Sequence, residues 1–187
     1  QGHHRADGLV HPAYEVRCRA GRASALTASG FICIALTPER ITELDIPMMV
    51  PENTERNKTA YTVTVDYRDG TTTGISAHDR ALTARMLADP ALGARAADFL
   101  RPGHMNPLRY TSGGVRVRRG HTEASVDLCK AASLPPGGLL CELVDPDDPQ
   151  GGIAARDACL KFARQHGIKV TTIEMLRDWQ NEHGVVV

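Results

Sequence analysis

Phe31-Ile32-Cys33-Ile34-Ala35-Leu36 runs straight into Thr37-Pro38-Glu39-Arg40, and this junction decides how the chain is built. Six consecutive apolar residues are too few for a buried helix. They show no alternation either, so they read as a strand buried on both faces. Thr37 then offers a capping oxygen, and Pro38 suits the first helical position, where a missing N–H costs nothing. A strand covered on both sides and handed directly to a helix implies a layered arrangement of sheet and helices.

The downstream pattern extends that reading. Tyr61 to Tyr67 alternates and is rich in β-branched residues, so it reads as a strand, followed by a turn at Asp69-Gly70. Ala77 to Ala88 reads as a helix capped by Ser76. Arg101-Pro102-Gly103-His104 reads as a turn or loop, and Val115 to Arg118 as a short strand between glycines. Ala124, Leu128, Ala131 and Ala132 recur at helical spacing, which predicts a helix over Thr122 to Ala132. Leu139 to Val144 and Lys169 to Ile173 read as strands. A helix carries Ala155, Ala158, Cys159, Phe162 and Ala163 on one face, and a last one spans about Glu174 to Asn181. Residues 1–29 show only weak periodicity. With no internal repeat or linker, the expected fold is α+β, a mixed-sheet sandwich in a single domain over residues 1–187. The opening Gln1-Gly2 resembles the scar of a cleaved tag, so residues 1–8 are expected to be tag-derived or disordered.

Composition removes several function classes. The chain has 187 residues, with 22 Lys plus Arg against 22 Asp plus Glu. A formal charge of zero argues against a nucleic-acid binder, which needs a basic face. No apolar run approaches the roughly 20 residues of a membrane helix, and no secretory signal is visible. Five scattered cysteines, none in a CxxC pair, point to free thiols in a reducing cytoplasm.

Candidate chemistry concentrates in a few places. Arg118-Arg119-Gly120-His121-Thr122-Glu123 lies where a helix begins. There, unpaired backbone N–H groups and two guanidinium groups make an anion cradle. The same stretch can equally be a solvated turn with Thr122 as a plain cap and Glu123 favouring the helix dipole. His104 follows a proline turn, as either a proton carrier or a surface side chain. Glu142 interrupts an apolar strand, as either a buried acid with a raised pKa or a residue on a solvent-facing edge. Cys33 reads most simply as core, and Asp79-Arg80 as a surface pair.

Taken together, these segments resemble the 3,4-dihydroxy-2-butanone 4-phosphate synthases of riboflavin biosynthesis. The stretches that carry the resemblance are Ser29 to Cys33, Leu44 to Met49, Thr72 to Arg80, Arg101 to His104, Arg118 to Ala124, Leu140 to Leu143 and Thr172 to Glu174. It covers about residues 29–176. It implies an α+β sandwich, a homodimer, a small-molecule substrate, no nucleic-acid or membrane partner, and a divalent metal, Mg²⁺ in the family, without an organic cofactor. It also implies the conversion of ribulose 5-phosphate into formate and the four-carbon phosphate. On this resemblance His104, Glu142 and Cys33 are catalytic. Arg118, Arg119, Gly120, Thr122, Thr73 and Asp79 bind substrate, and His121 binds metal.

One departure shapes the functional expectation. The family's acidic loop, Asp-Arg-Glu-Asn-Glu-Gly-Asp-Leu, and the strand before it have no counterpart in an ungapped register. His3 and His4 fall on its Arg-Glu pair, and Asp7 is the nearest carboxylate left. A metal site of His4 with His121 suits zinc better than Mg²⁺. The expectation is therefore a divergent, repurposed lyase- or isomerase-type enzyme acting by acid–base chemistry on another substrate, in specialised metabolism. The alternatives are the genuine synthase and a non-catalytic scaffold.

Overall fold

The computed structural model describes residues 8–12 and 29–184. Its strands are β1 (Gly8–Pro12), β2 (Cys33–Leu36), β3 (Val65–Tyr67), β4 (Phe99–Arg109) and β5 (Gly137–Glu142). Its helices are α1 (Pro38–Glu43), α2 (Ala77–Ala88), α3 (His121–Ala131), α4 (Arg156–His166) and α5 (Ile173–Glu182). The strands form one sheet in the order β1-β5-β2-β4-β3. Only the β2–β4 pair is parallel, so the sheet is mixed, as the α+β reading expects.

The apolar run forms a strand only over its last four residues: Phe31 lies before β2 and is half-exposed. All four residues of β2 are buried. Ile34 and Leu36 join Ala84, Leu87 and Ala88 of α2 in the main core, while Ala35, between them, packs with Tyr110 and Val126 of α3. Alternate side chains thus meet helices on opposite faces. Each fully buried Leu or Ile here stabilises the fold by roughly 1.5–3 kcal/mol. Beside β2, Gly137 and Gly138 of β5 make the same two contacts without side chains. A Cβ at Gly137 would lie 2.5 Å from that of Ala88, and one at Gly138 would lie 2.7 Å from that of Ser125 on α3. Only glycine admits both helices this close.

The local starts follow from capping chemistry. Thr37 accepts from the Arg40 N–H, and Ser76 from the Asp79 N–H. Arg40 is buried and donates to the Leu87 and Met86 carbonyls, fastening α1 to the end of α2.

Several expectations need correction. Residues 101–104 are not a free turn, because they lie within the long strand β4. Val65 pairs with Met105 while Asp66 pairs with Leu100, so these four residues form a bulge with no partner on β3. Val115 to Arg118 is not a strand. Gly113 and Gly114, both at positive φ, turn the chain into a 3₁₀ segment over Gly114–Arg116. Val115 is pinned there by its N–H to Asp127 and packs on Ala124 and Leu176. Lys169 to Ile173 is not a strand either: Thr172 instead caps α5 through the Met175 N–H. The strand expected over Tyr61 to Tyr67 is regular only from Val65, with single bridges at Tyr61 and Thr62. Helix α3 begins one residue earlier than expected, with Gly120 rather than Thr122 at the cap. Gly8–Pro12 is a strand that the weak N-terminal periodicity did not mark. Residues 1–7, with His4, and Cys18 lie outside the described residues. The other four cysteines are free thiols and buried.

Candidate active site

Strand polarity gathers the first group of predicted residues. Cys33, at the start of β2, is in register with Asn106 of β4 on one side and Leu140 of β5 on the other. His104 lies two residues before Asn106, and Glu142 two residues after Leu140. Because β4 runs parallel to β2 and β5 antiparallel, both steps lead toward the same end of the sheet.

His104 is held there by the bulge. Its ring Nδ1 lies 2.6 Å from Asp66 Oδ2, and its backbone N–H donates to Asp66 Oδ1 at 2.9 Å. Both oxygens of one carboxylate thus serve one residue, and they fix the plane of the imidazole. Asp66 is 8% exposed at its side chain while His104 is 42% exposed, so the carboxylate is inside and the ring faces out. In the tautomer that carries its proton on Nδ1, the ring donates to Asp66 and Nε2 keeps a lone pair that can accept a proton. Gly74 closes over this pair. It has φ +91°, and a Cβ there would overlap the Asp66 carboxylate and lie 2.7 Å from His104 Nδ1.

Asp79 sets the loop that carries Gly74. It is buried and accepts from the Thr72 hydroxyl at 2.8 Å and the Gly74 N–H at 3.0 Å. Those bonds, the Thr72 hydroxyl first, hold its carboxyl below the usual range. It is not the surface pair the residue pattern suggested. Thr73, on the same loop, is exposed.

Cys33, Tyr61 and Glu142 form an electrostatic neighbourhood. Burial pushes the Cys33 thiol up to about 12, and the charges of Cys141 and Glu142 add to the rise. Burial also raises the Tyr61 phenol, reinforced by Cys33, Glu55 and Glu142. Both groups therefore stay protonated at neutral pH. Glu142 itself is exposed at the end of β5, which selects the solvent-facing alternative over the buried acid.

The third group is the cradle. Arg118 Nη1 donates to Glu123 Oε2 at 2.6 Å, and its Nη2 donates to the Asn57 carbonyl at 3.1 Å and the Thr59 hydroxyl at 3.4 Å. Gly120 caps α3, and Thr122 is buried in its first turn. His121 opens the helix, half-buried. Arg119 turns the other way: it is 62% exposed and 3.7 Å from Glu174. Among the described residues, no three His, Cys, Asp or Glu side chains are grouped to hold a metal ion.

Reading by residue type missed Asp66, Glu123 and Tyr61 as members of the site. Asp66 had a usable signal, because it is a carboxylate in an otherwise β-branched and aromatic run, the same anomaly that marks Glu142. Glu123 is indistinguishable in sequence from an ordinary first-turn acid.

The comparisons with known proteins identify the family. The family model of 3,4-dihydroxy-2-butanone 4-phosphate synthase matches residues 4–179. The chain is 55% identical over 153 residues to the Schizosaccharomyces pombe 3,4-dihydroxy-2-butanone 4-phosphate synthase, covering 81% of this chain and 73% of that one. It is 47% identical over 155 residues to a Rhodococcus jostii riboflavin biosynthesis protein, RibBA, covering 83% of this chain and 36% of that one. A solved structure of 3,4-dihydroxy-2-butanone 4-phosphate synthase, in complex with two magnesium ions, superposes with a TM-score of 0.88 at 45% identity. That match covers 96% of this chain and 87% of the other. Likeness of this extent to proteins that carry the synthase's name overturns the expectation of a paralogue repurposed for specialised metabolism. The chain belongs to the 3,4-dihydroxy-2-butanone 4-phosphate synthase family, enzymes of riboflavin biosynthesis.

Proposed function

We propose that the protein is a 3,4-dihydroxy-2-butanone 4-phosphate synthase, converting ribulose 5-phosphate into formate and 3,4-dihydroxy-2-butanone 4-phosphate. The observation that carries this reading is the 55% identity to the fission-yeast synthase across four-fifths of the chain. The His104–Asp66 pair supports it. The two products together contain the atoms of the substrate, so the overall change needs proton movement and carbon rearrangement but no net oxidant or reductant.

Each residue has a role that follows from its setting. His104 Nε2 takes a proton from a sugar carbon to open the enediol, while Asp66 stabilises the imidazolium that results. Glu142, an exposed carboxylate at the same end of the sheet, is the second proton carrier. Cys33 and Tyr61 present protonated, uncharged polar surface beside it. The N–H groups of the first turn of α3, with Arg118, receive the phosphate dianion, and Thr122 lies in that turn, while Arg119, directed to Glu174, adds only positive charge nearby. Thr73 and the Gly74 loop, shaped by Asp79, form the wall next to His104.

Two magnesium ions belong to the related structure. When bound, such an ion stabilises negative charge on sugar oxygens. His121 is the ligand proposed for it here. No three His, Cys, Asp or Glu side chains are grouped for it among the described residues, and Mg²⁺ commonly keeps several waters beside one or two protein ligands. A homodimer and a cytoplasmic location complete the proposal. No helix among the described residues is long and apolar enough to cross a membrane.

The test is direct. The protein incubated with ribulose 5-phosphate and Mg²⁺ should release one formate per substrate consumed, read by a formate dehydrogenase assay. Absence of formate at saturating substrate would overturn the reading.

A further inference from the structure

Glu123 is a carboxylate with no exposure to solvent. Burying a charge is costly unless it is paired and hydrogen-bonded, so its partners explain why it is there. It is the third residue of α3, where a glutamate commonly reaches back to the N–H of the cap. Here the Gly120 N–H is instead taken by the Arg118 carbonyl. The Glu123 side chain points across to a different segment. Oε1 accepts from the Thr111 N–H at 3.0 Å, and Oε2 from Arg118 Nη1 at 2.6 Å.

Arg118 carries the connection further. Its second amino group binds the Asn57 carbonyl and the Thr59 hydroxyl. The turn it reaches is already closed on itself. Glu55 accepts from the Asn57 and Thr59 N–H groups, both at 2.8 Å, and the Asn53 amide donates to the Thr59 carbonyl. Tyr61, two residues on, is the phenol that senses Cys33 and Glu142. A line of short polar contacts therefore runs from the interior of α3, through one guanidinium, to a rigid turn on the far side of the cradle.

We infer that Glu123 is a positioning residue for substrate binding. It fixes the Arg118 guanidinium in one orientation and, through it, holds the 53–59 turn as a wall of the phosphate cradle. The inference rests on the proposed synthase reading for the identity of the substrate. It does not need that reading for the geometry, because inorganic phosphate is a sufficient probe of the cradle.

The experiment compares wild type with Glu123→Gln, Arg118→Lys and the double variant. Steady-state kinetics with ribulose 5-phosphate and the affinity for inorganic phosphate are measured for each, alongside melting temperature. Losing one charge-assisted hydrogen bond weakens binding by about 10- to 100-fold. E123Q is therefore expected to raise KM and to weaken inorganic phosphate by that factor, while kcat at saturation stays unchanged. R118K should lose more, because it also alters the contacts to Asn57, Thr59 and phosphate, and the double variant should be no worse than R118K alone, because the Glu123 contact is already broken there. Unchanged phosphate affinity in a folded E123Q, or fully additive effects, would overturn the inference. A lowered melting temperature alone is the mark of a merely structural role and would also overturn it. Should E123Q not fold, Glu123→Asp keeps the charge, draws it back from Arg118 and is expected to give the same loss. If wild type makes no formate, the functional reading fails, and phosphate affinity still decides the role of Glu123.

Discussion

His104 and Arg118 stand in parallel arrangements at two places in the molecule. Each is a basic side chain 2.6 Å from a buried carboxylate, with the base facing outward and the acid inside. The carboxylates are used differently. Both oxygens of Asp66 go to His104, one to the ring and one to the same residue's backbone. The oxygens of Glu123 are divided between Arg118 and the Thr111 N–H of another segment. The first arrangement orients one ring and leaves its outer nitrogen available. The second is a strut between pieces of chain. The bases differ to match: a histidine changes charge within the physiological range, whereas an arginine stays cationic. Identical contact distances therefore suit different tasks: on the proposed function, proton transfer at one end of the site and permanent binding at the other.

The sharpest way to break this comparison is to remove the titrating group. His104→Gln keeps a polar side chain but cannot shuttle a proton. Formate production should fall by about 10²–10⁴-fold in kcat, with inorganic phosphate affinity unchanged. Equal losses in both quantities would mean that the two ends are not separate devices.

A smaller effect is expected at the supporting acid. Asp66→Asn preserves shape and removes the charge that balances the imidazolium, so kcat should fall by about 10- to 100-fold. Phosphate affinity should again be unchanged. A kcat within experimental error of wild type would show that Asp66 only packs against the ring.

The smallest effect concerns the thiols, which belong to neither pair. Burial raises Cys33 to about 12 and Cys129 to about 11 from an ordinary 9.0. The folded state therefore holds these protons more tightly than the unfolded chain does. The stability they contribute is complete below pH 9 and is lost as pH rises through 11 to 12. Melting temperature should be level from pH 7 to 9 and decline above it, and Cys129→Ala should lessen the decline. A curve that is flat to pH 11 would contradict the burial of both thiols.

The sequence conveyed the frame better than the joints. The buried strand within the run Phe31–Leu36, the caps Thr37 and Ser76 and the spacing of α2 are readable because each depends on local chemistry, although Phe31 itself stays outside the strand. The 101–104 stretch reads as a turn because Pro-Gly usually ends regular structure. Within this fold it is a bulge inside β4, made possible by pairing with β3, which no local pattern reports. Lys169–Ile173 has the composition of a strand but no strand partner among the described residues. The site divides in the same way. His104 and Arg118 stand out by type, but their carboxylates are identified only by where the folded chain brings them. The functional expectation failed for a related reason. It weighed a stretch of residues 1–9 above the long agreement elsewhere, and residues 1–7 lie outside the described structure.

The order of strands has a consequence for how the molecule comes into being. The central strand β2 pairs with β4 and β5, both distant in sequence, and His104 and Glu142 ride on those two strands. Such non-local pairing makes folding slow, since chain entropy is lost before the contacts that offset it can form. His104 and Glu142 reach the same end of the sheet only once both non-local pairings have formed. Until the ribosome has released β5, a nascent chain holds His104 without its counterpart Glu142.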